Sequence, residues 1–346
     1  MTEFSRYRVA FRVDGGGDEG FGSLSRCCAL AEELEKCFGC KVGFFPTIAE
    51  EPPWGRLEWT CVTPPEEMSI WQEGRWLSWE AEVGEYDALV IDVRRDFSSL
   101  CKPLIRGGYV VAVIDETYHD VVPAHIVINP SVLAKTQNYP RYNQNQIFLL
   151  GPEYLALRPQ FGADKKALTK DRASHLVVSP TAIYTPSVWG KAIEQAVKHA
   201  GLERVTILGL PAHNLSDFRI EGISGLVTFH NHLTTPSTVM ASADIALCGG
   251  GLTLFEYIAL GVPAVAVTNI PRQAAEVEAL ASQGACIALT HSFAPERVGI
   301  AVKMLAGRAD VRRLISAFGP TLVDGRGRER VALTLAEIIK KEKVVT

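Results

Sequence analysis

The strongest chemical signal in the chain is a run of three glycines at positions 249–251. It lies between an apolar stretch that ends at Cys248 and a helix-like stretch that begins at Leu252 or Thr253. Glycine lets the backbone approach a ligand closely, and the free amides and macrodipole of a helix N-terminus favour an anion. The pattern predicts a pyrophosphate site, with the Thr253 hydroxyl as a further donor and Glu256 as an acceptor for a ribose diol. The alternative is a tight turn followed by an acid that stabilises its helix. A Walker loop is excluded because no Lys-Ser/Thr pair follows the glycines.

A second glycine-rich loop follows the first strand-like stretch and has five glycines within residues 15–22. Its spacing does not match the G-x-G-x-x-G dinucleotide fingerprint. The nearby acids Asp14, Asp18 and Glu19 would repel a pyrophosphate, because like charges repel at short range. We therefore predict that this loop contacts a sugar or an acceptor. A glycine-rich surface turn is the alternative.

Alternating strand-like and helix-like stretches must position both loops. Continuous apolar runs such as Ala88–Asp92 and Tyr109–Asp115 are typical of strands buried on both faces of a parallel sheet. Residues 52–84 are predicted to be irregular, and residues 162–174 to form a polar linker. Two such series predict an α/β protein with two doubly wound, Rossmann-like domains facing a cleft. Ligands in such folds bind beyond the carboxyl ends of the strands.

The predicted domains are an N-terminal sugar or acceptor domain over residues 1–163 and a C-terminal nucleotide-binding domain over residues 174–346. As an alternative placement, the last helix of the chain could pack on the N-terminal domain. The strands predicted for the C-terminal domain are His175–Ser179, Val205–Leu208, Leu226–Phe229, Asp244–Cys248 and Ala264–Thr268.

The composition is that of a globular protein. The 346 residues are 47% hydrophobic and 21% charged, which excludes a disordered or fibrous chain. The net charge of −4 gives no global attraction for nucleic acid or for an anionic membrane. No apolar run approaches the ~20 residues of a membrane-spanning helix. The N-terminus has no secretion signal, so we expect a cytoplasmic protein.

The eight cysteines are expected to be reduced core thiols, because several lie within apolar runs. Cys37 and Cys40 have the spacing of half a zinc site, but a structural zinc site needs four ligands and no second pair follows at such spacing. We therefore expect no metal, and no cofactor other than the nucleotide-sugar substrate. The sequence leaves the oligomeric state open.

Four motifs, spread in order over nearly the whole chain, carry a resemblance to a known family. They are residues 12–14 with 20–22 and Arg26, residues 149–154 with 157–161, residues 243–263 with Gln273, and residues 324–327 with Arg330. Together they resemble the nucleotide-sugar hydrolase of pseudaminic acid synthesis and the related spore-coat polysaccharide proteins of SpsG type. The C-terminal half of that family looks like the lipid-linked N-acetylglucosaminyltransferase of peptidoglycan synthesis. The resemblance implies the GT-B fold.

The resemblance also implies roles for individual residues. The diphosphate would lie on the turn at 250–253, Glu256 would bind the ribose hydroxyls, and Gln273 would lie near the phosphates or the sugar. The N-terminal loop would cover the anomeric centre of the sugar. The nucleotide-binding residues are then Gly249, Gly250, Gly251, Leu252, Thr253, Glu256 and Gln273, and the sugar or acceptor contacts are Gly20, Gly22, Arg26, Asp92 and Asp115.

This chain departs from the family at two places. The hydrolase activates water with a histidine in G-x-G-H-x-x-R, and Ser23 stands there instead; a serine hydroxyl is no base near neutral pH. The candidates for a replacement base are Asp14, Asp18 and Glu19, while Ser23 could still bind the sugar. The family's Gly-Gly-Ser-Asp after the first strand of the C-terminal domain is replaced by residues 179–182, Ser-Pro-Thr-Ala. The hydroxyls of that segment could still meet a phosphate, and the base need not be uracil.

Other polar and aromatic residues allow two interpretations each. Asp92 and Asp115 end buried strands and are either site residues or structural caps. His119, which precedes Asp120, is expected at the surface like most loop histidines. The tryptophans of residues 54–79 are expected to cover the sheet rather than a sugar. Two histidines after a predicted strand could stack near the base: His230 and His232.

The leading hypothesis is an enzyme that breaks the anomeric C–O bond of a nucleoside-diphosphate sugar. Phosphates held at a helix N-terminus would stabilise the leaving group as its charge develops. The resemblance favours hydrolysis of a UDP-linked diacetamido sugar in surface-glycan synthesis, whereas Ser23 favours glycosyl transfer. A non-catalytic nucleotide-sugar binder and a nucleotide-sugar epimerase of similar fold are the alternatives. The sequence names neither the sugar nor the acceptor.

Overall fold

The computed structural model of the chain describes residues 4–17, 20–49, 51–52, 55, 57–119, 121–163, 169–181, 184–209, 215–220, 222–230, 233, 235–291 and 293–344. The chain folds as two compact units. The first comprises Met1–Arg158 together with Arg326–Thr346, and the second comprises Pro159–Gly325. The C-terminal segment therefore belongs to the first unit, where Arg328 forms an ion pair with Glu33 at 3.1 Å.

A parallel sheet forms the centre of the first unit. In the described part of that unit it has seven strands in the order β3-β2-β1-β4-β5-β6-β7, and every pairing is parallel. The strands are β1 (Arg8–Gly15), β2 (Lys41–Ile48), β3 (Thr60–Cys61), β4 (Ala88–Asp92), β5 (Val110–Ile114), β6 (Ile126–Asn129) and β7 (Ile147–Leu150).

The second unit repeats this topology. Its sheet, counted over the described residues, has six parallel strands in the order β10-β9-β8-β11-β12-β13. This is the 3-2-1-4-5-6 order of doubly wound folds, which bind ligands where the strand order reverses. In the second sheet that point lies between β8 and β11, and in the first sheet between β1 and β4. The strands are β8 (His175–Ser179), β9 (Arg204–Leu208), β10 (Val227–His230), β11 (Ile245–Gly249), β12 (Ala264–Thr268) and β13 (Ile287–Thr290).

Helices cover both sheets. The described helices are α1 (Gly22–Glu33), α2 (Ile70–Val83), α3 (Phe97–Arg106), α4 (Gln160–Ala163), α5 (Pro186–Ala200), α6 (Pro236–Ala241), α7 (Leu252–Ala259), α8 (Pro271–Ser282), α9 (Pro295–Gly307), α10 (Ala309–Leu322) and α11 (Gly327–Val344).

The apolar runs are buried because parallel strands are covered on both faces. In β1, Val9, Phe11 and Val13 pack in one cluster with residues of α1 and α11. Ala10 points to the opposite face, where the core comes from α2 and α3. The alternation along one strand thus supplies two hydrophobic layers.

The sequence-based prediction of strands in the second unit is confirmed within one residue at each end. The prediction that residues 52–84 are irregular is wrong, because they contain α2. Its buried side includes Gly74 and Ala81, while Trp71 and Trp79 are 56% and 58% exposed. A Cβ on Gly74 would lie 2.4 Å from the carbonyl oxygen of Ser99, so the small residues serve a close approach of α2 to α3.

The prediction that the tryptophans of residues 54–79 cover the sheet is right for two of them and wrong for two others. Trp59 and Trp76 pack on Phe44 and Phe45 at centroid distances of 5.0 and 5.5 Å, as predicted for residues that cover the sheet. The same prediction is wrong for the two exposed tryptophans of α2. Trp54 lies outside the described residues. Within the described residues, no helix has both the length and the apolarity to span a bilayer.

Candidate functional site

The three-glycine turn lies at the carboxyl end of β11, at the reversal point of the second sheet. All five residues of β11 are buried, and α7 begins directly after the turn. The first bond of the helix runs from the amide of Leu254 to the carbonyl of Gly251 at 3.0 Å. The amides of Leu252 and Thr253 therefore precede the intrahelical ladder, at the end where the macrodipole is positive.

Packing explains two of the three glycines. A Cβ on Gly249 would lie 2.4 Å from Cγ2 of Thr181, and a Cβ on Gly250 would lie 2.7 Å from Cγ2 of Val277. Neither neighbour is the end of a long flexible side chain, so a methyl group at either position would force the backbone to move. These two glycines bring β11 and its turn close to the segment after β8 and to α8.

Gly251 differs from the other two because nothing in its surroundings requires a glycine. Its φ of −92° and ψ of −153° are accessible to any L-residue. The nearest atom to an added Cβ is Nε2 of Gln273, at the ordinary contact distance of 3.8 Å. The absence of a side chain leaves the N-terminal face of α7 uncovered at this residue.

Gln273, near the start of α8, presents a hydrogen-bond donor toward this face. Thr268 Oγ1 accepts from the amide of Ile270 at 3.2 Å and lies 3.0 Å from Oε1 of Gln273. The hydroxyl hydrogen is then directed to Oε1, which fixes the orientation of the amide. Nε2 is left as the group beside Gly251, so a neutral donor is held in place next to the helix N-terminus.

The segment after β8 completes the surroundings of the turn. Ser179 Oγ and the Tyr257 hydroxyl lie 2.7 Å apart and are buried, which ties α7 to the end of β8. Burial raises the pKa of Tyr257 well above its ordinary value. Among the described residues, buried Oγ1 of Thr181 has no hydrogen-bond partner. A buried hydroxyl without a partner costs about 1–3 kcal/mol, and a ligand oxygen at the turn would remove that cost.

Glu256 lies one turn inside α7 and is 6% exposed. Burial is the main cause of the raised pKa values of Cys248 and Tyr257, and the charge of Glu256 adds to both. The carboxylate is thus placed on the same helix as the uncovered amides, as the sequence pattern required.

In the first unit, Arg26 organises the carboxyl edge of the sheet. Its Nε and Nη2 bind both oxygens of Asp92, at 2.5 and 2.7 Å. Nη1 binds Glu116 at 2.5 Å, and Nη2 donates to Ser23 Oγ at 3.1 Å. Burial opposes the charge of Arg26, but the two carboxylates outweigh it and raise its pKa. One guanidinium therefore joins α1, the end of β4 and the segment after β5.

Asp14, at the end of β1, belongs to a closed set of ion pairs. Arg12 binds Asp14 at 2.7 Å and Glu73 at 2.6 Å. Arg95 binds the same two carboxylates at 2.9 and 2.8 Å. Arg12 and Glu73 are buried, and four alternating charges stabilise each other where single ones would be costly. Asp14 is held by two cations and is a poor choice for a free base.

Asp115 follows β5 and is completely buried. It accepts from the amides of Thr117 and His119 at 3.1 and 2.8 Å, and from the Thr117 hydroxyl at 3.0 Å. Tyr139 adds a bond at 3.2 Å, and burial followed by the Asp115 charge raises the pKa of that phenol. Tyr118 has a φ of 58°, which turns the chain within this segment. Asp115 therefore acts as the structural centre of a tight turn.

His119 is not an isolated surface histidine. Its Nδ1 lies 2.9 Å from Oδ1 of Asp115, and its ring meets the ring of Phe97 edge-on at 4.7 Å. The side chain is 34% exposed. The side chain is therefore partly exposed, as expected of a loop histidine, and the carboxylate and the aromatic ring fix the imidazole.

The remaining predicted residues are two glycines of the N-terminal loop and a histidine at a strand end. Gly20 has a φ of 66°, where glycine is favoured, and Gly22 begins α1. His230 ends β10 and is partly buried. Four predicted residues lie outside the described residues: Asp18, Glu19, Asp120 and His232.

Sequence reasoning missed Thr268, Glu73 and Arg95 as partners of site residues. Glu73 and Arg95 lie 61 and 81 positions from Arg12 and Asp14, the residues of β1 that they bind, and no local pattern shows such pairs. Thr268 ends β12, three residues before the start of α8, and its place at a strand end was the available signal.

Comparison with known proteins gives two relatives by sequence. No protein-family model matches the chain. It is 24% identical to the spore coat polysaccharide biosynthesis protein SpsG of Bacillus subtilis, over 96% of this chain and 99% of the relative. It is 21% identical to the uncharacterized protein MJ1062 of Methanocaldococcus jannaschii, over 75% of this chain and 55% of that protein.

Solved structures are similar over almost the whole chain. MurG of Acinetobacter baumannii has a TM-score of 0.64 at 14% identity, covering 97% of this chain and 99% of its own. The calicheamicin glycosyltransferase CalG4 has a TM-score of 0.66 at 17% identity, covering 97% and 98%. The UDP-GlcNAc 2-epimerase of Neisseria meningitidis has a TM-score of 0.63 at 12% identity, covering 95% and 100%. The chain therefore has the GT-B fold, with two parallel doubly wound sheets, and resembles the spore coat polysaccharide biosynthesis protein SpsG along nearly its entire length.

Proposed function

We propose that the protein binds a nucleoside-diphosphate sugar, with the diphosphate at the glycine turn between β11 and α7, and breaks its anomeric C–O bond. The observation that carries the proposal is the uncovered helix N-terminus at Gly251. Packing demands glycine at the two preceding positions but not at Gly251, and the fixed amide donor of Gln273 lies beside it. Uncovered amides, a positive helix end and a positioned donor form an anion site.

The same groups would assist the reaction as well as binding. When the bond between the anomeric carbon and the phosphate oxygen breaks, negative charge grows on the leaving diphosphate. Donors that are already oriented stabilise this charge without having to reorganise. In this proposal Glu256 accepts hydrogen bonds from the ribose hydroxyls, and the Thr253 and Thr181 hydroxyls are further donors to phosphate oxygens.

Glycosyl transfer to a hydroxyl acceptor is the first candidate for the overall reaction. Ser23 stands where the hydrolases of the resembled family carry their histidine, and its Oγ accepts from Arg26 at 3.1 Å. This serine cannot activate water. Glycosyl transfer is also supported by the similar solved structures, which include MurG of Acinetobacter baumannii and the calicheamicin glycosyltransferase CalG4.

Hydrolysis is the second candidate. The likeness to SpsG covers 96% of the chain, and the resembled family includes a nucleotide-sugar hydrolase. The two reactions share the donor and the broken bond and differ only in whether a hydroxyl or water attacks. In either case we place the product in polysaccharide biosynthesis.

The test is to incubate the purified protein with UDP-, CDP-, GDP- and TDP-sugars and to measure free nucleoside diphosphate by chromatography. Hydrolysis releases the diphosphate without an acceptor, whereas transfer requires a saccharide acceptor. The variant Gln273→Leu should lower the release rate at limiting donor at least about tenfold, equivalent to about 1.4 kcal/mol. Gln283→Leu is the matched control, because it changes an exposed glutamine beyond the other end of α8.

Binding of a nucleotide-sugar without release under any condition would contradict the enzymatic part of the proposal and favour a non-catalytic binder. An altered sugar still attached to the nucleotide would favour an epimerase. The expectation that no metal is needed is tested in the same assay, where added chelator should leave the rate unchanged.

A further inference from the structure

We propose that His119, oriented by Asp115, is the catalytic base that removes the proton from the attacking acceptor hydroxyl or water. This inference rests on the proposed function, because it assigns the base for the same bond cleavage. It places acceptor activation on the segment after β5 instead of on the glycine-rich loop after β1.

The bonds made by Asp115 fix the tautomer of the His119 imidazole. Asp115 is buried and receives bonds from two amides, a hydroxyl and a phenol. A carboxylate with so many donors is an acceptor only, so Nδ1 of His119, 2.9 Å from Oδ1, must carry the hydrogen. In the neutral ring Nε2 is then the unprotonated nitrogen. The same division of roles operates in the catalytic histidine–aspartate pairs of hydrolases.

The position of the ring leaves Nε2 of His119 accessible to solvent. Within the described part of the chain, Nδ1 of His119 contacts Asp115 and Thr117, and the ring lies edge-on against Phe97. The carboxylate of Asp96 also interacts electrostatically with the imidazole. With the side chain 34% exposed, Nε2 is the nitrogen left for a molecule from solvent. The histidine is held rigidly at the carboxyl edge of the sheet, where doubly wound folds bind their ligands.

Three other described carboxylates at this edge, Asp14, Asp92 and Glu116, are each bound by an arginine. Asp92 receives both arms of Arg26, and Glu116 receives the third nitrogen of the same guanidinium. Asp14 lies between two arginines. Each of these carboxylates is therefore already paired with a guanidinium. Because Arg26 also binds Ser23, the segment that carries His119 lies beside the loop from which the family's histidine is missing.

Nε2 accepts the proton of the acceptor O–H as that oxygen forms a bond to the anomeric carbon. The bond from the anomeric carbon to the β-phosphate oxygen breaks, and its electron pair leaves with the nucleoside diphosphate. The imidazolium charge is stabilised by Asp115 until the proton passes to solvent.

The experiment measures kcat, the KM for the donor and nucleoside-diphosphate affinity for wild type, His119→Gln, His119→Ala and His291→Ala. His291 is the matched control, since it is an exposed histidine that pairs with Glu278 at 2.9 Å in the other unit. General base catalysis contributes about 10²–10⁴-fold. We expect His119→Gln to lower kcat at least about 100-fold while the nucleotide affinity stays unchanged. Free imidazole should restore part of the kcat of His119→Ala, and His291→Ala should behave as wild type.

A kcat of His119→Gln within threefold of wild type would overturn the inference and leave the proposed function standing. Equal loss in His119→Ala without any imidazole rescue, together with a lowered melting temperature, would also overturn it, because that pattern indicates a structural histidine. A wild-type protein that turns over no nucleotide-sugar would contradict the proposed function itself.

Discussion

Alanine substitutions along the glycine turn separate packing from ligand binding. The Cβ of Gly250→Ala would lie 2.7 Å from Val277 and 3.3 Å from Thr268. Both neighbours are fully buried, at 0% exposure. Over-packing of this kind costs about 1–3 kcal/mol. We therefore expect this variant to lower the free energy of unfolding by that amount.

Gly251→Ala should behave in the opposite way. Its Cβ meets nothing closer than 3.8 Å, and its backbone angles suit alanine. The reduced entropy of the unfolded chain favours alanine by about 0.4–1 kcal/mol, and the weaker N-cap preference of alanine opposes this by about 0.5–1 kcal/mol. Stability should stay within about 1 kcal/mol of wild type. The added methyl group stands where the proposal places a phosphate, so nucleoside-diphosphate affinity should fall at least about tenfold.

The assay is urea denaturation for stability and calorimetric titration with nucleoside diphosphates for affinity. Gly307→Ala is the control, because it ends α9, meets no atom within 4 Å and lies outside the turn. A Gly251→Ala variant that binds nucleoside diphosphate as tightly as wild type would refute the phosphate assignment. A Gly250→Ala variant as stable as wild type would refute the packing argument.

Three further predictions concern charge. Gln273→Glu places a carboxylate beside the turn, so calorimetry should show nucleoside-diphosphate affinity at least about tenfold lower, equivalent to about 1.4 kcal/mol; unchanged affinity would argue against an anion there. Arg26→Met leaves Asp92 buried without its bidentate partner, and urea denaturation should show a loss of about 3–5 kcal/mol; a loss below about 1 kcal/mol would contradict that role. Burial lowers the pKa of His175. The unfolded chain therefore binds more protons near the ordinary value of about 6.5, and stability present above that pH falls as the pH drops, by about 1.4 kcal/mol per pKa unit of the shift. His175→Gln should flatten this slope between pH 7.5 and 5, and an unchanged slope would exclude His175 as its cause.

The strands and the glycine turn were predictable because their signals are local. Three of the strands predicted in the second unit, β8, β11 and β12, contain continuous apolar runs, and the turn at 249–251 lies between one such run and α7. Burial on both faces of a parallel sheet produces these runs directly.

The helix α2 was not predicted because it buries mostly small or charged residues and exposes large aromatic ones, which is the reverse of the usual pattern. Its buried positions are Glu73, Gly74, Leu77 and Ala81, and its exposed positions include tryptophans. The local signal was the capping box of Ser69 and Gln72, in which each side chain bonds to the other's backbone. The buried glutamate has a reason that the sequence does not show, its ion pair with Arg12 at 2.6 Å.

The candidate site was predictable in its residue types and not in its contacts. Gln273 was named from the resemblance, but the direction of its amide depends on the hydroxyl of Thr268. Asp92 and Asp115 could be site residues or caps on sequence grounds, and only their partners distinguish the roles. Asp92 is bound by Arg26, which lies 66 positions away, and Asp115 organises the turn that holds His119.

The most direct test of the central claim is a crystal structure of the protein with the nucleoside diphosphate that the release assay selects. We predict phosphate density at the N-terminus of α7, with oxygens within hydrogen-bond distance of the amides of Leu252 and Thr253 and of Nε2 of Gln273. Nucleotide density elsewhere, with the face beside Gly251 filled by water alone, would contradict it.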